Sequence, residues 1–179
     1  MAWTPPFTAV DGNTLTAAQW NSGVRDNLNE TAPAKATTAG GYFVATGTNA
    51  IAQRVMNDNT VAAQEDTTST TYANLTTPGP TVTLTTGTSA LVIVSAMVAG
   101  PGLGNSCHAD FDISGATTRA ADDTTCLRVE HDTNEFNRMS VMTRVSLNAG
   151  SNTFTMKYKT GTAAATARFR DRNLIVIPF

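Results

Sequence analysis

The residues with the most chemistry in them fall in one short alternation, Cys107-His108-Ala109-Asp110-Phe111-Asp112-Ile113. On a strand, period two puts His108, Asp110 and Asp112 on one face and Cys107, Ala109, Phe111 and Ile113 on the other. An imidazole and two carboxylates are nitrogen and oxygen donors suited to a divalent cation. Successive same-face residues on one strand diverge, so another chain would have to complete the shell. The expectation is a solvated polar face, with no metal site and no cofactor. Cys107 and Cys126, on neighbouring predicted strands, read either as a disulfide or as two small buried apolar residues. Their spacing is not that of a metal-binding pair. Arg168, Arg170 and Arg172 form a basic row with steps of about 7 Å. Acidic residues are equally available (Asp122, Asp123, Glu130, Asp132, Glu135), so ion pairs within or between subunits are expected rather than a phosphate-binding surface. Gly100-Pro-Gly-Leu-Gly104 lacks the Lys-Ser/Thr ending and the following helix of a phosphate loop. Neither Gly-x-Ser-x-Gly nor His-Glu-x-x-His occurs, and the adjacent Asp122 and Asp123 read as a turn. The chain is expected not to be an enzyme. Tyr72 and Phe136 are the aromatic residues left over by inward-facing positions, so a glycan-reading surface has few residues to draw on.

Most of the segments that position these residues are strands. Threonine supplies 32 of the 179 residues, an excess that favours pleated structure because β-branched side chains suit it. Short candidate strands recur about every ten residues from Tyr72 on, separated by Pro78-Gly-Pro80, Thr86–Ser89, Gly100–Asn105 and Asn148–Asn152. They are Tyr72–Leu75, Val82–Thr85, Leu91–Val98, Cys107–Ile113, Cys126–His131, Arg138–Leu147, a strand carrying Phe154, Met156 and Tyr158 inward, and Thr166–Ile177. Asn148–Asn152 reads as a hairpin turn. Leu91–Val98 and Leu174–Ile177 are apolar on both faces, so Leu91, Ile93, Val94, Ile175 and Ile177 belong to the core or to a subunit interface. The fold class expected is mainly β: a jelly-roll-like antiparallel β-sandwich of about eight strands, with a short N-terminal arm and one helix.

That helix is written in Leu15-Thr-Ala-Ala-Gln-Trp-Asn-Ser-Gly-Val-Arg-Asp-Asn-Leu28. Thr16 and Gln19 have capping-box spacing, and Leu15 and Trp20 stand where a hydrophobic staple would place them. Trp20, Val24 and Leu28 make an apolar row one residue wide and three turns long, which needs a partner surface. Pro33 marks the expected end of the helix. The organisation that follows is an arm and anchor helix over 1–32, a linker with short strands over 33–68, and a β-sandwich head over 69–179.

Global composition excludes several classes. A net charge of −2 and a pI near 5.6 give no drive toward nucleic acid. The longest apolar stretch, Ala90 to Ala99, is about half the ~20 residues a membrane helix needs. Met1-Ala-Trp-Thr-Pro-Pro lacks the charged start and apolar stretch of a signal peptide, so synthesis in a cytoplasm without membrane insertion is expected.

Trp3-Thr-Pro-Pro6, Gly12–Asn21 and Val24-Arg-Asp-Asn-Leu28 resemble the N-terminal segment of small virion proteins of tailed bacteriophages, especially those infecting actinobacteria. Ala34–Ala50 is similar to a linker-like segment of tail, fibre and decoration proteins. From Thr70 onward the chain resembles, in pattern and turn placement, the commonly trimeric β-sandwich heads of such proteins. The resemblance implies a structural virion protein, made in the bacterial cytoplasm and carried in the particle, with no active site. It favours a homotrimeric capsid decoration protein bound to the phage major capsid protein. The alternative it leaves is a minor tail or tail-fibre protein acting as a host-receptor or cell-surface glycan-binding module. On either reading Trp3, Phe7, Leu15, Trp20, Val24 and Leu28 are the particle- or subunit-anchoring residues.

Overall fold

The computed structural model describes Pro5, Phe7, Thr8 and residues 10–100, 105–130 and 135–179. Trp3 of the expected anchors, residues 101–104 of the glycine-rich loop and the His131 end of one expected strand lie outside them. The chain divides into two compact units, one reaching to Val55 and one running from Met56 to Phe179.

In the first unit, Thr16 caps helix α1 (Ala17–Trp20), and the capping box is present as expected. The Gln19 backbone N–H donates to Thr16 Oγ1 (3.2 Å), and Gln19 Oε1 accepts from the Thr16 backbone N–H (2.9 Å). The helix runs on through a π-helical turn, Asn21–Arg25, into α2 (Asp26–Leu28). It stops at Leu28 rather than at Pro33. That proline sits instead in the first turn of α3 (Ala32–Lys35), where its missing N–H would have had no intrahelical partner. Strands β1 (Tyr42–Gly47) and β2 (Ala50–Arg54) form an antiparallel hairpin. Gln53 ties it to the preceding chain, accepting from Thr37 N (2.7 Å) and donating to Thr38 O (2.6 Å).

The second unit contains β3 (Asn57–Val61), β4 (Glu65–Thr67), β5 (Thr81–Thr86), β6 (Ser89–Ala99), β7 (Ser106–Gly115), β8 (Leu127–Glu130), β9 (Asn137–Ser146), β10 (Gly150–Thr160) and β11 (Ala167–Pro178). Every pairing is antiparallel. One sheet runs β5-β10-β7-β8; the other runs β3-β11-β6-β9, with β4 also on β11. Setting β4 aside, the eight strands in chain order are shared between the sheets as second, seventh, fourth, fifth in one and first, eighth, third, sixth in the other. This is a jelly roll. Its first strand, β3, and the short β4 lie within the 33–68 segment, so of that segment's strands only β1 and β2 belong to the first unit.

The core lies between the sheets and is built by alternation. Val92, Val94, Ala96 and Val98 of β6 meet Cys107, Ala109, Phe111 and Ile113 of β7 and Phe154, Met156 and Tyr158 of β10 in one buried cluster. Aromatic rings pack at a tilt across it, Tyr158 and Phe169 at 4.9 Å between centroids and 52°, and Phe111 and Phe154 at 6.0 Å and 46°. Two local expectations are corrected. Tyr72–Leu75 is not a strand: Ala73 makes a single bridge to Tyr158, and Leu75 is buried in the core. Asn148–Asn152 is not a hairpin turn, because β9 pairs with β6 and β10 with β5 and β7. It is the corner where the chain crosses from one sheet to the other. Fully buried Asn152 holds that corner, donating to Thr86 Oγ1 (2.8 Å) and Asn148 O (3.0 Å) and accepting from Thr117 N (2.7 Å).

Candidate functional site

Of the expected anchors, Leu15, Trp20 and Leu28 are 40%, 55% and 60% exposed, and Val10, which is not among them, is 61% exposed. Val24 and Phe7 are half-buried, and a Cβ at Gly23 would collide with the Phe7 ring. Gly23 therefore lets the extended arm lie against the helix. Asn27, the buried residue of α2, donates back to Gly23 O (3.1 Å). Trp20 and Leu28, which an amphipathic helix would normally bury, are thus left on the surface of this chain.

The two outward faces of the sandwich differ in kind. On the five-stranded sheet, register aligns Ile177 with Leu91 and Ile175 with Ile93 between β11 and β6. The next pair, Ile93 with Met142, carries the row onto β9. Leu91, Ile93, Ile175 and Ile177 are half-buried, and Met142 is 62% exposed. Val94 points the other way, into the core. The double-faced apolar pattern of these strands therefore resolves into a core face and an apolar outer face. On the four-stranded sheet the outer face is polar, with threonine ladders Thr83–Thr153 (2.8 Å) and Thr81–Thr155 (3.2 Å) between β5 and β10.

Further along that polar face, β7 is not solvated as expected. Residues 116–126 fold over it, and the β7 carboxylates accept the loop's own donors. Asp112 Oδ1 takes the Ala121 N–H (2.8 Å), and Asp110 Oδ2 takes the Asp122 N–H (2.8 Å) and Arg119 Nη2 (2.9 Å). Arg119 also bonds Phe111 O (2.8 Å), Asp122 (3.3 Å) and Thr125. Burial raises the Asp110 carboxyl above its ordinary range, against the pull of those donors. Asp110 and Asp112 thus serve to fasten a loop, and they are not brought together as ligands.

His108, by contrast, meets two residues of that loop. Its Nδ1 lies 3.1 Å from Asp123 Oδ1 and 3.7 Å from Cys126 Sγ, while Ser106 Oγ is 2.7 Å from Nε2. Asp123 also accepts from Tyr72 Oη (2.9 Å) and Lys159 Nζ (2.7 Å). Burial, reinforced by the Lys159 charge, lowers the His108 imidazole's affinity for a proton, and the Lys159 hydrogen bond holds Asp123 low. The two cysteines are free thiols. Cys107 is on the core side, its thiol pushed up to about 11 by burial, while Cys126 stands with His108 on the outer side.

The basic row is also redistributed. Asp171, at φ 47°, sits in a bulge between Arg170 and Asn173, so the alternation of β11 slips by one residue. Arg168 and Arg170 face outward, near Asp66 and Asp171 (3.8 Å each). Arg172 is turned inward and fully buried, 3.1 Å from Glu65 and stacked over Tyr158. The expected ion pairing is intramolecular for all three, with Asp66, Asp171 and Glu65 as partners in place of the acids picked from sequence. Proximity in sequence gave no signal for Glu65, which lies 107 residues away.

No protein-family model matches the chain, and no curated protein matches its sequence. Among solved structures it is similar to the infectious bursal disease virus VP2 subviral particle protein (12% identity, TM-score 0.45). That likeness covers 75% of this chain and 37% of the VP2 chain. It is also similar to the carbohydrate-binding module CBM6cm-2 of Cellvibrio mixtus lichenase 5A (14% identity, TM-score 0.30), over 81% of this chain and 92% of the module. The C-terminal CBM6 of LamC from Zobellia galactanivorans gives 14% identity and TM-score 0.29, over 80% and 94% of the two chains. No helix among the described residues is long and apolar enough to cross a membrane.

Proposed function

We propose that this chain is a structural protein of a tailed-bacteriophage particle, a capsid decoration protein that assembles as a homotrimer and binds by its N-terminal arm. The carrying observation is that each unit exposes its own apolar surface: Trp20 and Leu28 on the helix, and the Leu91–Ile93–Ile175–Ile177–Met142 face on the jelly roll. Exposed rows of this kind mark sites of association. On this reading the first surface meets the particle, with the major capsid protein as partner, and the resemblance of the N-terminal segment supports it. The second meets sister subunits. The role is adhesive, with no reaction, nucleic acid or membrane involved. Two modest contacts on one chain reinforce each other because the second forms at high effective concentration.

The test is labelling of intact purified particles with an antibody to this protein, with copy number from quantitative mass spectrometry and light scattering of the purified chain. Signal over the whole head at hundreds of copies, with a trimeric mass, supports the proposal. Signal at the tail end at a handful of copies replaces it with a tail-fibre, receptor- or glycan-binding role. Absence from the particle overturns both.

A further inference from the structure

The His108–Asp123–Cys126 cluster has the makings of a metal site, and nothing in the adhesive role uses it. We infer that His108 Nδ1, Asp123 Oδ1 and Cys126 Sγ bind a zinc ion that locks the 116–126 loop onto β7. The three ligand atoms lie within 4.8 Å of one another. With zinc bonds of about 2.0 Å to nitrogen and oxygen and about 2.3 Å to sulfur, tetrahedral geometry separates N from O by roughly 3.3 Å and N from S by roughly 3.5 Å. The observed separations are 3.1 Å and 3.7 Å, each within a few tenths of an ångström of those values, and Asp123 Oδ1 and Cys126 Sγ lie within 4.8 Å of each other.

The surroundings are those of a metal ligand set. Without an ion the Nδ1–H donates to Asp123; when Nδ1 binds an ion the neutral imidazole keeps its proton on Nε2, where Ser106 Oγ, 2.7 Å away, is placed to accept it. Lys159 takes Asp123 Oδ2, which leaves Oδ1 for the ion, and Oδ1 can keep its bond from Tyr72 on its second lone pair. His108 is buried, while the Asp123 side chain is 58% exposed, so the fourth coordination position opens to solvent. One thiolate with one imidazole and one carboxylate selects zinc over magnesium and calcium, which prefer oxygen ligands throughout. Binding displaces the thiol proton to solvent and forms an S–Zn bond. The ligands come from β7 and from positions 15 and 18 residues further on, so the ion cross-links the loop to the strand it covers.

The experiment uses the full chain with zinc and with cobalt(II) as a spectroscopic stand-in. The expected result is one zinc per chain by native mass spectrometry after desalting, a thiolate-to-cobalt charge-transfer band, and a rise in melting temperature on adding zinc. Cys126→Ser abolishes the band and weakens zinc binding by more than about a hundredfold, beyond the 10–100-fold typical of outer-shell changes. Asp123→Asn, at an exposed position, weakens binding at least about tenfold without disturbing the core. Cys107→Ser, on the core side, keeps both band and stoichiometry. A wild-type chain without bound zinc at micromolar concentrations, or a Cys126→Ser chain that binds as the wild type does, overturns the inference.

Discussion

Arg172 is a guanidinium without solvent exposure, and Glu65 supplies its counter-charge. Partial burial tends to raise the Glu65 pKa, but hydrogen bonds from Thr77 and the Arg172 charge outweigh it and hold the value below the ordinary 4.5. A lowered folded-state value stabilises the fold above the ordinary value, and the contribution is lost as pH falls through the folded one. Glu65→Gln is therefore expected to cost about 3 kcal/mol near neutral pH, because it leaves a buried cation uncompensated. In urea unfolding, the gap from wild type should narrow as the pH drops below 4.5; a gap that stays constant would show that the charge is irrelevant. Asn152→Ala should cost about 2–4 kcal/mol in the same assay, since it leaves the Thr117 N–H without its acceptor and Thr86 Oγ1 and Asn148 O without the Asn152 donor. Neither role was legible in the sequence. Asn152 looked like a turn residue and Arg172 like one of an outward row, because both are decided by partners far away along the chain. The Thr16–Gln19 box was legible because its donors and acceptors are three residues apart.

At the scale of elements, hydrophobic alternation located β5, β6, β7, β9, β10 and β11 and the inward sides of β7 and β10. It could not show that β11 carries an extra residue. A bulge is invisible to period two until the partner strand is known. Because Asp171 adopts φ 47°, Asp171→Gly is expected to be neutral or stabilising by up to about 1 kcal/mol, and Asp171→Val destabilising by about 1–3 kcal/mol. Thermal unfolding of both variants checks this, and equal effects would remove the bulge conformation as the cause. Alternation also missed β3, whose sequence Asn-Asp-Asn-Thr-Val is polar. That strand lies at a sheet edge, and five residue pairs along β11 recruit it. A head beginning at Met56 contains the whole jelly roll, whereas one beginning at residue 69 loses β3, β4 and Glu65. The first should unfold cooperatively and the second should not, by circular dichroism against urea. A cooperative 69–179 fragment would show that β3 and β4 are dispensable.

At the scale of the molecule, the two outward faces of the sandwich set the argument. One is covered by its own loop and studded with paired charges; the other presents Leu91, Ile93, Ile175, Ile177 and Met142. Alternation predicted apolar residues on both sides of β6 and β11 but could not rank core against interface, because an obligate interface has the composition of a core cut in half. The proposed trimer makes this testable. Ile175→Glu places a charge at the centre of the outer face, between apolar Ile93 of β6 and the like-charged Asp58 of β3, so neither register neighbour neutralises it. It should shift the chain from trimer to monomer by light scattering while leaving the monomer's circular dichroism unchanged. Retention of the trimer would move the subunit contact elsewhere. The arm then separates assembly from attachment. A chain of residues 56–179 keeps the outer face and loses Trp20 and Leu28. It should remain trimeric yet lose binding to stripped particles, since the arm is the proposed particle contact and the linked arms of a trimer supply the avidity, roughly 10²–10⁴ over a single arm. Undiminished binding by that fragment would place the particle contact on the jelly roll and make the exposed helix row an intersubunit surface.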